Sequence, residues 1–487
     1  MQGPPWSGFA ERRRILTDDP EAVNYGRRAA PRGRRGNHGG CGARHGHANR
    51  LLAGTLAALA LAAAARAAVA DRSRPPRELR LLVVLAGFPD RPLAKPRAHF
   101  TRQLSRFVAY WTEVSGGRLR IEPTLVETTV TVPGPRRGYV GRPDALARDA
   151  LAALAAPPDA DALVVFFAGA GRESHPAGDN SDDPWSNYTG LSPPARAGRA
   201  AFDEACVIAE KEVHPFSSFG VLCHEFGHLL GLPELYAPGG HAQEGIGVWG
   251  LMGQGTWLRR GERPPHLCAW SKLRLGWVEV ETITRSTRGV ALPQIEREAR
   301  VVKIPAAPAH PEEYYLLENR ARVGADRALP GEGLLVWHVD ESRLAFRSAE
   351  TDVARKLLHL VEADGRGDLD RGHAAGGNRG DATDPWSGPP PWRRRAGAAL
   401  RLLGAALVAA AVFRVARPRP LVPATGLLAA AGVMLAAGVL VGRSPVCGPH
   451  TPGMAPHDGG PARVVLRNLS PAGPVMRFDV LVAPAEG

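Results

Sequence analysis

The sequence has few cysteines for its length, five among 487 residues. No two of them form a CxxC pair, so the pattern excludes a disulfide framework. Cys41 lies in a segment that we expect to be removed, which leaves Cys206, Cys223, Cys268 and Cys447. Their pairing does not follow from the sequence, and Cys223 fits a small core residue as well as a bridge partner.

The sequence also lacks the patterns of nucleic-acid-binding proteins, although its formal net charge is +13. It contains no RNP-like, helix-turn-helix or zinc-finger pattern. Ten arginines and four acidic residues lie within residues 1–50, so nearly half of the excess charge sits in a segment that we expect outside the fold. We therefore expect no nucleic acid among the partners.

The N-terminal region indicates export. Residues 1–43 show no hydrophobic periodicity, and we predict that they are disordered or that translation begins after them. Residues 44–70 fit a signal peptide: a basic end at Arg50, an apolar run at 51–65 and cleavage after Ala70. An uncleaved N-terminal anchor is the alternative. Either way we expect the body of the protein to be extracellular or anchored at the cell surface.

The mature chain predicts a mixed α/β domain over residues 71–285. Continuous apolar runs predict buried strands, 3.6-residue periodicity predicts helices, and a stretch rich in Asp, Ser, Pro and Gly predicts a loop. The predicted elements are strands at 78–90, 118–134 and 161–171, helices at 99–117 and 143–156, and a loop at 172–199.

The stretch HEFGHLLGLPELY, residues 224–236, concentrates two histidines and two glutamates. The segment FGVLCHEFGHLL predicts a buried helix, on which His224 and His228 point the same way because they are four residues apart. Two imidazoles so placed can bind one zinc ion, while Glu225 reaches the metal-bound water as general base. For the pentapeptide alone, a chance HExxH is the alternative.

The residues after the pentapeptide favour the zinc site. Gly231 permits a left-handed helix end, and Pro233 cannot continue the helix, so the chain reverses just past His228. That reversal can bring Glu234 back towards the metal as the third ligand.

A second motif lies downstream, GIGVWGLMGQGTW at residues 245–257, a Gly-rich turn with Met252 at its centre. A methionine turn under the zinc is part of the metzincin pattern, whereas Met252 alone would indicate a core residue. The usual metzincin third ligand is His, and here the residue is Glu234.

Together these motifs resemble the immune inhibitor A-like M6 metallopeptidases of bacteria. The likeness spans about residues 79–387 and resumes near 451–481. The other segments that resemble the family are LLVVLAGFPD, YWTEVSGGRLRI, PPHLCAWSKLRLGWV, YYLLENR with LPGEGLLVWHVDE as paired strands, and the acidic loops LVEADGRGDLDRG and NRGDATDPW.

The resemblance implies a secreted zinc endopeptidase with a metzincin-like core that acts on proteins or peptides. His224 and His228 match the family's ligands, Glu225 its base and Met252 its Met-turn. The family usually has Asp in the third position, where this sequence has Glu234.

Tyr236 matches the tyrosine that follows the third ligand in the family. Its position suggests support of the site or contact with the transition state. Packing is an equal alternative.

A β-rich continuation is expected over residues 286–392, and its loops are acidic. Asp364, Asp368, Asp370, Asp381 and Asp384 offer hard oxygen ligands on Gly-rich loops, which suggests Ca²⁺. The spacing is not that of an EF-hand, and solvated turn acids are the alternative.

Residues 393–445 predict a transmembrane hairpin inserted into this continuation. The stretch 421–442 is 22 uncharged residues long, enough for a bilayer core, and 396–413 is an apolar stretch interrupted by Arg401. The tail, 446–487, reads as a β-hairpin that should pack on the exported domain, which favours two crossings over one. A buried soluble helix pair is the alternative.

The leading functional hypothesis is a zinc metalloendopeptidase. A catalytically weak zinc-containing binding or adhesion module is the second, although a structural zinc site needs no base such as Glu225. A zinc hydrolase of non-peptide or cell-wall peptide substrates is the third.

Overall fold

The computed structural model describes residues 78–483 apart from 156, 177–178, 180, 238–242, 308–309, 345–354, 373–374, 390, 416–423 and 443–462. The predicted N-terminal extension and signal peptide lie outside the described residues, as do Cys41 and Cys447. The other three cysteines, Cys206, Cys223 and Cys268, are buried free thiols.

The described chain forms three sheets and six α-helices, with short 3₁₀ turns between them. The strands are β1 Glu78–Gly87, β2 Arg120–Leu125, β3 Val130–Thr131, β4 Ala162–Ala170, β5 Asn187–Ala197, β6 Ala200–Lys211, β7 Glu279–Thr282, β8 Thr287–Pro293, β9 Arg300–Ala307, β10 His310–Arg320, β11 Gly333–Asp340, β12 Leu358–Leu360, β13 Val464–Arg467 and β14 Val475–Val482. The helices are α1 Arg97–Val114, α2 Pro143–Ala152, α3 Phe219–Leu229, α4 Ala269–Arg274, α5 Pro391–Val415 and α6 Ala424–Gly442.

The first sheet has the order β2-β1-β4-β6-β5, and β3 also pairs with β1. All its pairings are parallel except that of β5 with β6, which is antiparallel. Along β1, Leu81 and Val83 join one core while Leu82 and Val84 join another, because successive side chains face opposite sides of a strand. A strand covered on both faces explains the unbroken apolar run. The predicted mixed α/β fold and the strands and helices expected before residue 172 are confirmed.

The loop predicted at 172–199 is wrong in its second half, because β5 occupies Asn187–Ala197. The segment contains Gly190, Pro193 and Pro194, which normally indicate a loop. Here they are tolerated because β5 is an edge strand with a register shift between Gly190 and Ala195, so it has fewer ladder hydrogen bonds to lose.

The second sheet, β12-β11-β10-β9-β7, contains the predicted paired strands as the antiparallel pair β10 and β11. Its residues Tyr314 and Trp337 belong to the same core as Leu81 of β1 and Phe226 of α3. One hydrophobic core therefore contains residues from both sides of position 285, where the catalytic domain was predicted to end.

The third sheet joins the tail to the rest of the protein. The antiparallel hairpin of β13 and β14 predicted for the tail is confirmed, and β14 pairs with β8. The tail thus packs through β8 on the part of the chain that precedes α5, as expected.

Helices α5 and α6 pack against each other: a Cβ at Gly404 would lie 2.7 Å from Leu435 Cγ. Several of their large apolar side chains are exposed, such as Leu402 at 73% and Val433 at 67%. Among the described residues, one helix is long and apolar enough to cross a membrane, through its 18-residue window Arg395–Val412. The described part of α6 contributes only the shorter apolar stretch Leu428–Ala437. A membrane hairpin therefore stays a prediction.

Candidate metal centre

Helix α3 carries the two histidines on one face, with ring centroids 4.8 Å apart. Nδ1 of His228 lies 2.8 Å from the Leu232 carbonyl, and Nδ1 of His224 lies 3.1 Å from the Leu251 carbonyl. Because a carbonyl only accepts, each Nδ1 carries the proton and donates it. In the neutral form of each ring, the lone pair that a metal ligand needs is therefore on Nε2.

The end of α3 has the geometry that the motif predicts. Gly231 has φ +86°, a left-handed conformation that a side chain would strain. The Leu232 N–H donates to the Gly227 carbonyl and the Gly231 N–H to the His228 carbonyl, which is a Schellman motif. The chain reverses there, directly after the second histidine.

The reversal brings Glu234 to the histidines. Its Oε2 lies 3.2 Å from Nε2 of His224, and its Oε1 lies 3.4 Å from Nε2 of His228. One ligand atom from each of the three side chains lies within 4.8 Å of the others. The extra methylene of Glu, compared with the Asp usual in the resembling family, does not prevent this approach.

The donor set fits zinc, which takes imidazole nitrogens and carboxylate oxygens in catalytic sites with three protein ligands. Nε2 of His228 is also buried without a hydrogen-bond partner among the described residues. A buried polar atom without such a bond is costly, and a metal ion would remove that cost.

In the metal-free protein, electrostatic attraction also favours the approach of Glu234 to the two histidines. Burial acts to lower the pKa of His224, but the carboxylate of Glu234 overrides it, and with Glu225 and the Leu251 carbonyl raises that pKa to about 9. Burial acts to raise the pKa of Glu234, yet the two histidines hold it well below its ordinary value.

The predicted Met-turn lies beneath α3. A Cβ on Gly227 would lie 2.4 Å from Sδ of Met252, so the methionine packs into the space that this glycine leaves. The Met252 carbonyl accepts from Leu235 N–H at 2.9 Å, beside Glu234. The same turn therefore orients His224, through the Leu251 carbonyl, and fixes the segment that carries the third ligand.

Thr256 completes the hydrogen bonding at His224, a role that the sequence did not reveal. Its hydroxyl lies 2.9 Å from Nδ1 of His224 and donates to the Leu251 carbonyl at 2.9 Å. Because the pair His224 and Thr256 is 32 residues apart, only the folded turn brings it together.

Glu225 is buried, and one of its carboxylate oxygens accepts the Tyr188 backbone N–H at 2.5 Å. Tyr188 lies near the start of edge strand β5, so this bond ties the strand to the candidate base. The Tyr188 ring also lies 5.7 Å from the ring of His228. The sequence pointed to Glu225 but not to Tyr188, because β5 was expected to be a loop.

Tyr236 lies beside the cluster, with its ring 6.3 Å from that of His224. It is half-buried. Support of the site or contact with the transition state stays a prediction for Tyr236, with packing as the alternative.

The acidic loops come together only in part. One group contains Asp364, Asp368 and Asp381. Asp370 is not part of it, because its carboxylate pairs with Lys356 and lies 3.4 Å from His359. The structure therefore pairs Asp370 with Lys356 rather than with the other acidic residues, and a calcium role for Asp370 stays a prediction.

A second acidic group contains Glu362, Asp364 and Asp384. Oδ1 of Asp384 is buried without a hydrogen bond, and burial raises the pKa of Asp384 to about 7. Glu362 belongs to this acidic group although the sequence pattern did not predict it.

The acidic loop also supports the Met-turn. Oδ2 of Asp384 accepts the indole N–H of Trp249 at 2.8 Å, and Arg320 donates to the Trp249 carbonyl at 2.9 Å. The Val248 N–H donates to the Arg379 carbonyl at 2.7 Å. These residues are far apart in the sequence, so no local pattern indicated them.

A histidine pair on a buried helix, a carboxylate returned by a tight turn and a methionine turn below are the features of a metallopeptidase. Residues 157–278 match the family model described as immune inhibitor A peptidase M6, catalytic domain. The predicted resemblance is thereby confirmed, and this segment of the protein is similar to the catalytic domain of M6 peptidases. No curated protein matches the chain.

Proposed function

We propose that the protein is an exported zinc metalloendopeptidase in which Glu225 is the general base. The observation that carries the proposal is the convergence of His224, His228 and Glu234, with Nε2-to-carboxylate distances of 3.2 and 3.4 Å. These three residues would hold the zinc ion. When bound, zinc lowers the pKa of its water to about 7 and polarises the scissile carbonyl.

Glu225 is suited to move a proton in this reaction. It follows His224 directly in the chain, and its negative charge contributes to the raised pKa of that histidine, so the carboxylate acts on the ligand cluster. The Tyr188 N–H holds one oxygen in place. The other oxygen would accept the proton of the attacking water and deliver it to the leaving amine.

The position of strand β5 favours a peptide as the substrate. It is at the edge of the first sheet, and its residue Tyr188 contacts Glu225. An extended peptide could pair with such an edge by backbone hydrogen bonds. A scissile bond held there would lie beside the candidate base.

The test is hydrolysis of casein and of quenched peptides by the full chain and by Glu225→Gln, with zinc measured in both. We expect the variant to keep one zinc and to lose activity by about 10²–10⁴-fold, the usual contribution of a general base. Glu279→Gln, at an exposed position of β7, is the matched control and should retain full activity.

Zinc in both proteins with no cleavage of any peptide would contradict the endopeptidase proposal and favour the binding or adhesion module. Cleavage of only non-peptide or cell-wall substrates would favour the third hypothesis. Equal activity of Glu225→Gln and wild type would contradict the assignment of the base.

We also propose that α5 and α6 tether the exported domain to a membrane. The Gly388 N–H before α5 donates to the Ser470 carbonyl after α6. The chain segments that enter and leave the two-helix insert therefore lie side by side. Such an insert must cross a bilayer an even number of times, and two helices satisfy this. Sodium carbonate extraction of membranes tests the proposal: wild type should stay in the pellet, and release equal to that of a peripheral protein would contradict it.

Calcium at the acidic loop is a further proposal, carried by the buried Oδ1 of Asp384 beside Glu362 and Asp364. Calcium should raise the melting temperature of the full chain, and Asp364→Asn should reduce that rise. An unchanged melting temperature on addition of calcium and of EDTA would contradict it.

A further inference from the structure

A pair of buried carboxylates lies apart from the ligand cluster. Glu173, in the 3₁₀ turn Arg172–Ser174, is 2% exposed, and Glu212, directly after β6, is 5% exposed. A Cβ on Gly171 would lie 2.3 Å from Oε1 of Glu173 and 2.7 Å from Oε2 of Glu212. The two carboxylates thus converge on the face of a residue that has no side chain.

The pair lacks the partners that buried carboxylates normally have. Oε1 of Glu173 and both oxygens of Glu212 are buried without a hydrogen bond, and no basic side chain among the described residues forms an ion pair with either. Only Oε2 of Glu173 is satisfied, by the Ser186 N–H at 3.0 Å. Buried charges in proteins are paired or coordinate metals, so three free oxygens need an explanation.

A shared proton explains only part of this arrangement. One proton can join one oxygen of Glu212 to Oε1 of Glu173. The Ser174 hydroxyl and the Gly171 N–H lie near Glu212 and act to lower its pKa, but they already donate to the Gly171 and Lys211 carbonyls, so the second oxygen of Glu212 has no donor of its own. A divalent cation can contact all three oxygens and neutralise both charges. Glu212 also borders a surface cavity, which gives a route for an ion from solvent.

We propose that Glu173 and Glu212 form a binding site for a divalent cation of the calcium type, separate from the His224 cluster and from the acidic loop. Carboxylate oxygens are the ligands that Ca²⁺ prefers, and water and backbone carbonyls complete its six to eight positions. In the absence of an ion, burial raises the pKa of Glu173 to about 7 and that of Glu212 well above its ordinary value. Protons and the cation therefore compete for this site.

The site is connected to the edge strand. Oε2 of Glu173 accepts a hydrogen bond from the Ser186 N–H. The Ser186 hydroxyl oxygen accepts one from the Ala209 N–H of β6 at 3.0 Å. Tyr188, two residues further, donates to Glu225. An ion at Glu173 would therefore fix the segment that leads into β5 at the candidate base.

The test starts from the zinc-loaded full chain in detergent with Asp364→Asn and Asp381→Asn, which disable the acidic loop. This background should bind one calcium ion in equilibrium dialysis, and saturating calcium should raise its melting temperature by about 5 °C. Adding Glu212→Gln, which keeps the shape and can still donate to Glu173, should weaken calcium binding by about 100-fold or more.

Melting of the zinc-loaded proteins without added calcium supplies the control for folding. Because Glu212→Gln removes one of two buried like charges, the variant should melt at the same temperature as its background or higher when no calcium is present. Calcium should then raise the melting temperature of the background only.

Two results would overturn the proposal: a background that neither binds calcium nor melts higher in its presence, or a calcium response that survives Glu212→Gln. Either result would show that Glu173 and Glu212 do not form a calcium site. Neither measurement depends on peptidase activity, so the outcome is independent of the proposed function.

Discussion

Replacement of Gly227 by alanine tests the contact between the zinc helix and the Met-turn. The added Cβ would lie 2.4 Å from Sδ of Met252, whereas ordinary van der Waals contact begins at 3.4 Å. The sulfur must therefore move by about 1 Å in a fully buried position, where close packing leaves little room.

The free energies of unfolding follow from this geometry. Overpacking of a core costs about 1–3 kcal/mol. The higher helix propensity of alanine offsets about 1 kcal/mol, so Gly227→Ala should cost about 1 kcal/mol. Met252→Ala leaves a cavity and should cost about 3 kcal/mol. In the double variant the clash is absent, and the expected cost is about 2 kcal/mol rather than the additive 4 kcal/mol.

Urea unfolding in EDTA measures these values without the contribution of bound zinc. Gly138→Ala is the matched control, because a Cβ there has nothing within 4 Å, and it should not destabilise the protein. A double variant whose cost equals the sum of the single costs within about 0.5 kcal/mol would refute the packing of Met252 under Gly227. Zinc affinity should fall in Gly227→Ala, because the Met252 carbonyl holds the segment of the third ligand.

Four further predictions concern the charges and hydrogen bonds around the site. Thr256→Val removes the hydroxyl beside Nδ1 of His224 and should weaken zinc binding by about 10–100-fold in chelator competition. Since the pKa of His224 is raised to about 9, its stabilisation of the metal-free protein is complete below about pH 6.5 and is lost as the pH rises through 9. The stabilisation from Glu234, whose pKa is lowered, is present above about pH 4.5 and is lost at lower pH. Urea unfolding in EDTA at a series of pH values measures both contributions. Zinc must displace the proton of His224, so its affinity should increase with pH up to about 9; a pH-independent affinity would contradict this. Arg320→Met should destabilise by about 3–5 kcal/mol, because Asp326, which it binds at 2.6 Å, would be left as a buried unpaired charge; an unchanged urea midpoint would contradict this.

The sequence was sufficient for those parts of the site that are local in the chain. The spacing of His224 and His228, the left-handed Gly231 and the return of Glu234 all follow from helix geometry within eleven residues. The buried strands of the first sheet were equally readable, because strands covered on both faces are continuously apolar.

Long-range contacts decided the features that the sequence did not show. Strand β5 contains glycine and prolines and forms because β6 is available to pair with it. Tyr188, Thr256 and Glu362 reach their sites through tertiary packing, which has no local periodicity. Asp370 looked like its acidic neighbours until the fold placed Lys356 against it.

The positions of these long-range contacts also determine what constitutes the catalytic unit. The match to the M6 family ends at residue 278, but the Met-turn is held at Trp249 by Arg320 from one side and by Asp384 from the other. The second sheet shares its core with α3, and the tail closes the third sheet against β8. The Met-turn below the ligand cluster therefore depends on residues well beyond the family match, and the second sheet belongs to the same folded unit as the zinc helix, on which the tail packs through β8.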